Sequence, residues 1–521
     1  MASLSSGTGA AGAKPALVFI GFMGAGKSTA LEAAHAAGLE AVDADAEIER
    51  ELASSIAEFF AAHGEAEFRR REEEFVGELL ERADGGAIAL GGGAPGSERV
   101  RAALARHICV WLEVDAETAW ERAGDSRPLA RDRARFDELL AEREPLYEGL
   151  ADAVLPAGDR ALAERALPYL LAMADLPPGA RMAWAASDSG DYPAFVARGL
   201  LASGFWPLDG RRFLVSDSDV APLYADAVAP LATRIEVAPG EAAKTLGEAE
   251  RVIRELTRAG MTRDDHVVAL GGGVVGDLAG FCAATYQRGV DVVQVPTTLV
   301  AQVDSAYGGK TGVDLPEAKN YIGAYHQPAA VLADPATLET LPPAELAAGF
   351  VEVLKTALIA GGRLWERVRG IECLDVAGLD DVIFSCARAK LAVVAADERD
   401  AGARQVLNLG HTVGHALEAA TGYSTYRHGE AVGLGLLAAL RLSDADELRA
   451  EVAEILARHS LPIELGDGVD VDAVLEAVER DKKRTAEGVG FVLLARPGAP
   501  APGQLVGADR VRAAVEELQR A

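Results

Sequence analysis

Two short runs hold the residue types of two different chemistries. In GFMGAGKST, Gly21 to Ser28 fit G-x-x-x-x-G-K-S, between the apolar run ALVFI and the helix-like STALEAAHAAG. Such a loop wraps phosphate in backbone N–H groups around Gly21, Gly24, Ala25 and Gly26. It reaches the terminal phosphates with Lys27 and can hold Mg²⁺ on the Ser28 hydroxyl, with Thr29 beside it. A loop kept only to sense ATP would look the same, so a substrate site must be sought nearby. In LNLGHTVGHALE, His411 and His415 are spaced i, i+4, which turns both imidazoles to one face of a helix. His428 in RHGEAV places three of the nine histidines between positions 411 and 428, a density that favours a metal over structural histidines. Thr412 fills the Glu place of H-E-x-x-H, which disfavours a metalloprotease.

Further candidates flank the first run. Asp43 and Asp45 in VDADAEIE end a short apolar segment, a usual place for ligand contacts in open α/β sheets, although D-x-D alone is as often a solvated turn. Arg69 in FRRREEEF, Gly91 to Gly93 in ALGGGAPG, Arg127 in SRPLA and Arg143 in EREPLY add cations and a close backbone approach; Arg70 and Arg71 read as surface charges. GGGAPG and GGGVVG at Gly271 to Gly276 both satisfy G-x-G-x-x-G, which shows how weak that pattern is. The first, beside a phosphate loop, reads as backbone approaching a substrate ring. The second follows HVVAL and precedes an apolar helical stretch, but only Asp291 offers a loosely placed acid, so spacing leaves NAD open.

The elements that must position these residues alternate short apolar runs with longer helical stretches, an α/β pattern with a parallel sheet. At 521 residues two or three domains are expected. A flexible tail over 1–14, a first α/β domain over 15–175 and a linker over 176–181, broken by Pro177, Pro178 and Gly179, precede a second α/β half over 182–337 and a mostly helical half over 338–521. Lys plus Arg total 51 against 80 acids, a net charge of −29 that disfavours nucleic acid and anionic membranes while leaving room for a local anion pocket. Four scattered cysteines without C-x-x-C, no signal-like start and no long apolar run point to a reduced, cytoplasmic protein.

The first set, in its order and spacing, resembles the shikimate kinase family over roughly residues 15–172. The resemblance implies shikimate on Asp45, Arg69, Arg143 and the backbone of Gly91, Gly92 and Gly93. Asp43 would lie with Ser28 near Mg²⁺, and Arg127 would come from a lid over ATP. Asp45 would orient the attacking hydroxyl while Lys27, Arg127 and Mg²⁺ stabilise the transferring phosphoryl.

From about Tyr192 onward, LGGGVVGDLAGFCAATYQRG, VPTTLVAQVDSAYGGKTGVD, KNYIGAYHQP, AGFVEVLKTALI, VVAADERD, LNLGHTVGHALE and RHGEAV resemble the 3-dehydroquinate synthase family. The resemblance implies zinc, or cobalt, on Glu352, His411 and His428, with His415 on substrate; spacing alone would pair His411 with His415. It implies NAD on Asp217, Glu241, Lys244, Gly271, Gly272, Gly273, Asp277, Thr297, Thr298, Lys310, Lys319, Thr337 and Thr340. Substrate phosphate and carboxylate would meet Arg288, Lys310, Asn320, Lys355, Lys390, Arg404, Asn408 and one of Lys482 and Lys483, with Asp304 nearby. The implied reaction closes a seven-carbon keto sugar acid phosphate to 3-dehydroquinate, with NAD⁺ returning the hydride that it takes.

The whole chain therefore reads as a fusion of the two families, acting on small molecules. A homodimer through the second region is left open. The rivals for that region are another sugar-phosphate cyclase, a metal-dependent NAD dehydrogenase, and a regulatory pseudoenzyme, which the intact Lys27, Glu352, His411 and His428 argue against.

Overall fold

ALVFI becomes the strand Leu17–Ile20, and its four side chains are all buried, as expected of a parallel strand covered on both faces. The computed structural model describes residues 14–123, 132–480, 484–485 and 488–519. Two compact units divide the chain, Met1–Trp184 and Ala185–Ala521. The tail expected over 1–14 lies outside the described residues except for Lys14.

In the first unit the parallel strands run in the order Ala41–Asp43, Ala87–Ala89, Leu17–Ile20, Ile108–Glu113, Ala153–Pro156 and Arg181–Ala185. The chain leaves Leu17–Ile20 in one direction and reaches Ile108–Glu113 on its other side, so the loop after Leu17–Ile20 opens at a topological switch point. There Gly21 has φ 146° and a Cβ would stand 2.7 Å from the Leu112 carbonyl oxygen, which excludes other residues. Gly26, in the left-handed region, starts the helix Lys27–Ala36.

The residues read as a linker form a turn, Ala180 N donating to Pro177 O at 3.0 Å. The next strand does not begin the second unit: Met182 and Ala183 pair with Ala153 and Val154, so the first unit extends to Trp184.

The second unit has a six-stranded parallel sheet in the order Tyr192–Val196, Ala330–Ala333, Asp291–Pro296, His266–Gly271, Arg212–Asp217 and Leu231–Val237. Helix Gly273–Thr285 is apolar nearly all round because both of its sides are covered. Val275, Leu278 and Cys282 join a core with Val267 and Val292 of the sheet and Val313 of an antiparallel hairpin, Lys310–Leu315 and Ala318–Tyr325. From Pro343 onward helices dominate, and Pro343–Ala360 is buried on every side, with thirteen buried residues from Leu346 to Ile359, Glu352 and Lys355 among them. This half is not purely helical: Arg484–Thr485, Gly488–Leu494 and Pro500–Leu505 form a small antiparallel sheet. Among the described residues no helix is long and apolar enough to cross a membrane.

Candidate active sites

In the first unit Lys27 folds back on its own loop, donating to Gly21 O at 2.8 Å and Phe22 O at 3.0 Å. Ser28 is exposed in the first helical turn, with Thr29 half-buried and Ala25 buried. Asp43 closes its strand and caps helix Ala44–Leu52, its Oδ1 accepting from Asp45 N at 3.1 Å and Ala46 N at 3.3 Å.

The three glycines lie against the three side chains expected on shikimate. A Cβ at Gly91 would stand 2.5 Å from Asp45 Oδ1, one at Gly92 would stand 3.4 Å from Arg143 Nη1, and one at Gly93 would collide with the Arg69 guanidinium. Helices Glu65–Arg82 and Arg133–Leu150 supply the two arginines, and the Tyr147 hydroxyl pins the glycine run by donating to Gly92 O at 2.6 Å. Glu72 joins this group without a motif to mark it. It is buried and pairs with Arg69 at 2.5 Å, and burial raises its pKa against the pull of that arginine. Its signal was the i, i+3 spacing from Arg69. Arg127 lies outside the described residues.

In the second unit the turn Gly271–Gly273 lets strand and helix meet closely: a Cβ at Gly272 would stand 2.9 Å from Thr298 Cγ2, and one at Gly273 3.0 Å from Ser305 Oγ. Lys244 is buried beside this turn, 2.6 Å from Asp277 Oδ2 and 3.8 Å from Glu241, and it donates to Asn320 Oδ1. Burial lowers the Lys244 pKa, but Asp277 and Glu241 outweigh it, so the net shift is upward. Asp217 Oδ1 accepts from Asp219 N at 3.0 Å and Val220 N at 2.9 Å. Thr298 Oγ1 accepts from Ala301 N, Thr337 donates to Asp334 O and Thr340 bonds the Tyr224 hydroxyl, while the buried Thr297 hydroxyl has no hydrogen bond among the described residues.

A buried charge cluster adjoins this segment. Asp304, on the π-helical turn Ala301–Ser305, accepts from Lys355 Nζ at 2.9 Å and from Lys390 through Oδ1 and its main-chain oxygen. Burial would raise the Asp304 carboxyl, yet these two ammonium groups hold it well below the usual carboxylate range. Lys310 is 2.5 Å from Asp400, with its pKa lowered by burial. Arg404 is 1% exposed and anchored on main chain, donating to Glu398 O at 2.6 Å and Gly308 O at 3.0 Å. Asn408 lines a small cavity with Gly410 and Thr412.

Two residues expected on the cyclase substrate make no hydrogen bond or ion pair with Asp304 among the described residues. Asn320, with φ 54°, is brought to Lys244, and exposed Arg288, with φ 70°, has no hydrogen bond or ion pair with the cluster among the described residues. Lys482 and Lys483 lie outside those residues.

Three helices converge on the third group. Glu352 is buried within Pro343–Ala360, and His411 and His428 each open a helix, His411–Ala420 and His428–Leu442. Glu352 Oε1 is 3.7 Å from His411 Nε2 and 3.4 Å from His428 Nε2. Oε2 ion-pairs with Lys355, which leaves Oε1 as the oxygen that faces both imidazoles. Two ligand atoms each about 2.1 Å from a tetrahedral ion lie roughly 3.4 Å apart, so these gaps, with one buried carboxylate oxygen facing two imidazole nitrogens, fit a divalent metal. Burial pulls the His428 imidazolium down, but Glu352 and Glu418 more than offset it and raise its pKa to about 10; the field that favours a proton there also favours a metal cation. His415 is exposed, its ring 5.2 Å from that of His411 and 6.0 Å from that of His428, and it does not join this trio. Glu418, which the sequence reading passed over, completes a second group with His415 and His428.

The family model for shikimate kinase matches residues 23–173, and those for the N-terminal and C-terminal parts of 3-dehydroquinate synthase match 234–348 and 349–484. The 3-dehydroquinate synthase of Symbiobacterium thermophilum is 44% identical over 352 residues, covering 63% of this chain and 98% of that protein. That of Halorhodospira halophila is 47% identical over 273 residues, covering 50% and 77%. Among solved structures, 2-epi-5-epi-valiolone synthase from Streptomyces hygroscopicus subsp. jinggangensis 5008, with NAD⁺ and Zn²⁺ bound, is similar with TM-score 0.57 at 26% identity, covering 64% of this chain and 98% of the other. The chain thus belongs to the 3-dehydroquinate synthase family, and it carries a shikimate kinase domain ahead of the synthase, a phosphotransferase joined to a phosphate-eliminating lyase.

Proposed function

We propose that residues 185–337 and 338–521 form the two halves of a cyclase that converts 3-deoxy-D-arabino-heptulosonate 7-phosphate to 3-dehydroquinate, and that the first unit, through residues 15–175, phosphorylates shikimate from ATP and Mg²⁺. The observation that carries the first reading is the buried Lys355–Asp304–Lys390 cluster directly beside Glu352. A simple alcohol dehydrogenase would share the glycine turn and the histidines but has no use for such an anion pocket.

In this assignment Glu352, His411 and His428 hold the metal. Lys244, Asp277, Glu241 and the Gly271–Gly273 turn would border NAD, together with Asp217, Thr297, Thr298, Lys319, Thr337 and Thr340. When bound, the metal polarises a substrate hydroxyl and NAD⁺ takes and returns its hydride. Lys310, Lys355, Lys390, Arg404 and Asn408 bind and orient the substrate anions, and Asp304 keeps the two buried ammonium groups charged and in place. His415, exposed beside the trio, can exchange a proton with a substrate hydroxyl through a ring nitrogen.

In the kinase Arg69 and Arg143 would take the carboxylate, Asp45 would orient the hydroxyl, and Lys27 would swing from its own loop to the phosphates. Asp43 spends Oδ1 on a helix cap, which leaves Oδ2 for Mg²⁺ with Ser28. These soluble biosynthetic substrates point to the cytoplasm.

The cyclase is tested by incubation with the heptulosonate phosphate, NAD⁺ and zinc. Phosphate and 3-dehydroquinate should appear without accumulated NADH, and chelation should stop the reaction until zinc or cobalt is returned. A stoichiometric rise in reduced nicotinamide would sink this reading in favour of a dehydrogenase.

A further inference from the structure

Glu418 is 5% exposed on helix His411–Ala420, a buried carboxylate on a helix face that also carries His411 and His415. Its Oε2 stands 3.4 Å from His428 Nδ1, and its Oε1 stands 3.5 Å from Lys319 Nζ. The other nitrogen of His428, Nε2, is the one that faces Glu352. His411 is arranged alike: Nδ1 is 3.2 Å from Leu409 O, and Nε2 faces the same Glu352 oxygen. Both rings are therefore held at Nδ1 and aimed through Nε2 at one point, His411 by main chain and His428 by a side chain.

An imidazole that donates its Nε2 lone pair to a cation must carry its proton on Nδ1. A carboxylate at Nδ1 fixes that tautomer, sets the ring plane and makes Nε2 a stronger donor. His428 needs such a partner more than His411 does, because its side chain is 39% exposed against 11%. Lys319 in turn holds Glu418 from the hairpin strand Ala318–Tyr325 and lies 4.1 Å from the centre of the Tyr423 ring, while Tyr423 N donates to Glu418 O at 2.8 Å.

We propose that Glu418 is a positioning residue that acts through His428, holding Nδ1–H so that Nε2 is presented to the metal, and that Lys319 keeps the carboxylate in that place. This rests on the reading that Glu352, His411 and His428 hold a divalent ion. A carboxylate there only to neutralise Lys319 would leave metal binding untouched.

The test uses the full chain, stripped of metal and titrated with zinc against a chromophoric chelator, and separately loaded with cobalt for its visible spectrum. Wild type should bind one ion per chain, and His428→Ala should lose it; equal binding by both would sink the metal assignment itself and not this proposal alone. With wild-type binding established, Glu418→Met, similar in length but unable to accept from Nδ1, should weaken zinc by about 10- to 100-fold and shift the cobalt bands, with Glu418→Gln intermediate. Wild-type affinity and spectrum in Glu418→Met would overturn the proposal. If that variant does not fold, Glu418→Gln decides: weaker zinc and shifted bands support the positioning role, and wild-type values overturn it.

Discussion

Lys355 Nζ lies 2.9 Å from Asp304 Oδ2 while its ammonium also rests against Glu352, so one buried cation joins the anion pocket to the proposed metal carboxylate. Lys355 and Glu352 are both 1% exposed. Lys355→Met would leave Glu352 without its counter-ion and Asp304 with Lys390 alone. Removing one member of a buried ion pair costs about 3–5 kcal/mol, so unfolding of the second unit should move to lower temperature by the equivalent amount, with cyclisation lost and shikimate phosphorylation kept. Calorimetry and the two assays check this; an unchanged melt would mean that the cluster is wetter than it looks.

Lys27 donates to Gly21 O and Phe22 O of its own phosphate loop. Lys27→Ala should therefore lower phosphoryl transfer by about 10²- to 10³-fold, the usual effect of removing one preorganised charge donor, and leave cyclisation at its wild-type rate. Loss of both activities in a folded variant would mean that the two sites are energetically coupled.

Acid should loosen the segment that carries Arg404. Asp397 accepts from Ala401 N at 2.9 Å, Gly402 N at 2.7 Å and Arg404 N at 3.0 Å, and these main-chain donors lower its pKa to about 2. The folded value lies below the unfolded one of about 3.9, so the stabilisation is complete above pH 4 and drains away as pH falls through 2. Asp397→Ala should lower stability at pH 7 and flatten its fall between pH 4 and 2. Urea titrations across that range would show it, and parallel pH curves for variant and wild type would refute it.

What could be read in advance was whatever is local. Gly21 to Ser28 announce their conformation through glycine φ values within one turn, and GGGAPG announces a close approach. The convergence of Glu352 with His411 and His428 is a matter of helix packing, which spacing cannot express; spacing alone pointed to His411 with His415. Glu418 and Glu72 were missed because an acid on a helix is ordinarily a solvated charge, and only burial tells otherwise. The short strand Arg181–Ala185 hid behind Pro177, Pro178 and Gly179, since a proline-rich turn reads the same whether a linker or a strand follows it.

That strand decides how the chain can be divided. Every described residue assigned to the kinase lies between Gly21 and Arg143, within the span of the five strands from Leu17 to Pro156, and the kinase family match ends at residue 173, before the turn. Arg181–Ala185 pairs Met182 with Ala153 and Ala183 with Val154, Arg181 donates to Glu148 O at 3.3 Å and the Trp184 ring lies 5.8 Å from that of Tyr169, but the strand supplies no proposed site residue. A cut between Pro178 and Gly179, both exposed, should therefore give a kinase fragment that needs ATP and Mg²⁺ and a cyclase fragment that needs NAD⁺ and a divalent metal, each active alone. The kinase fragment should melt somewhat earlier than its unit does in the intact chain, because Ala153–Pro156 loses a neighbour. A kinase fragment that is folded but inactive until the other fragment is added would show that the sixth strand is required, and moving the cut to follow Ala186 should then restore it. If neither cut yields an active kinase while the intact chain has both activities, the two activities are not independent, and joining them in one chain has a catalytic purpose.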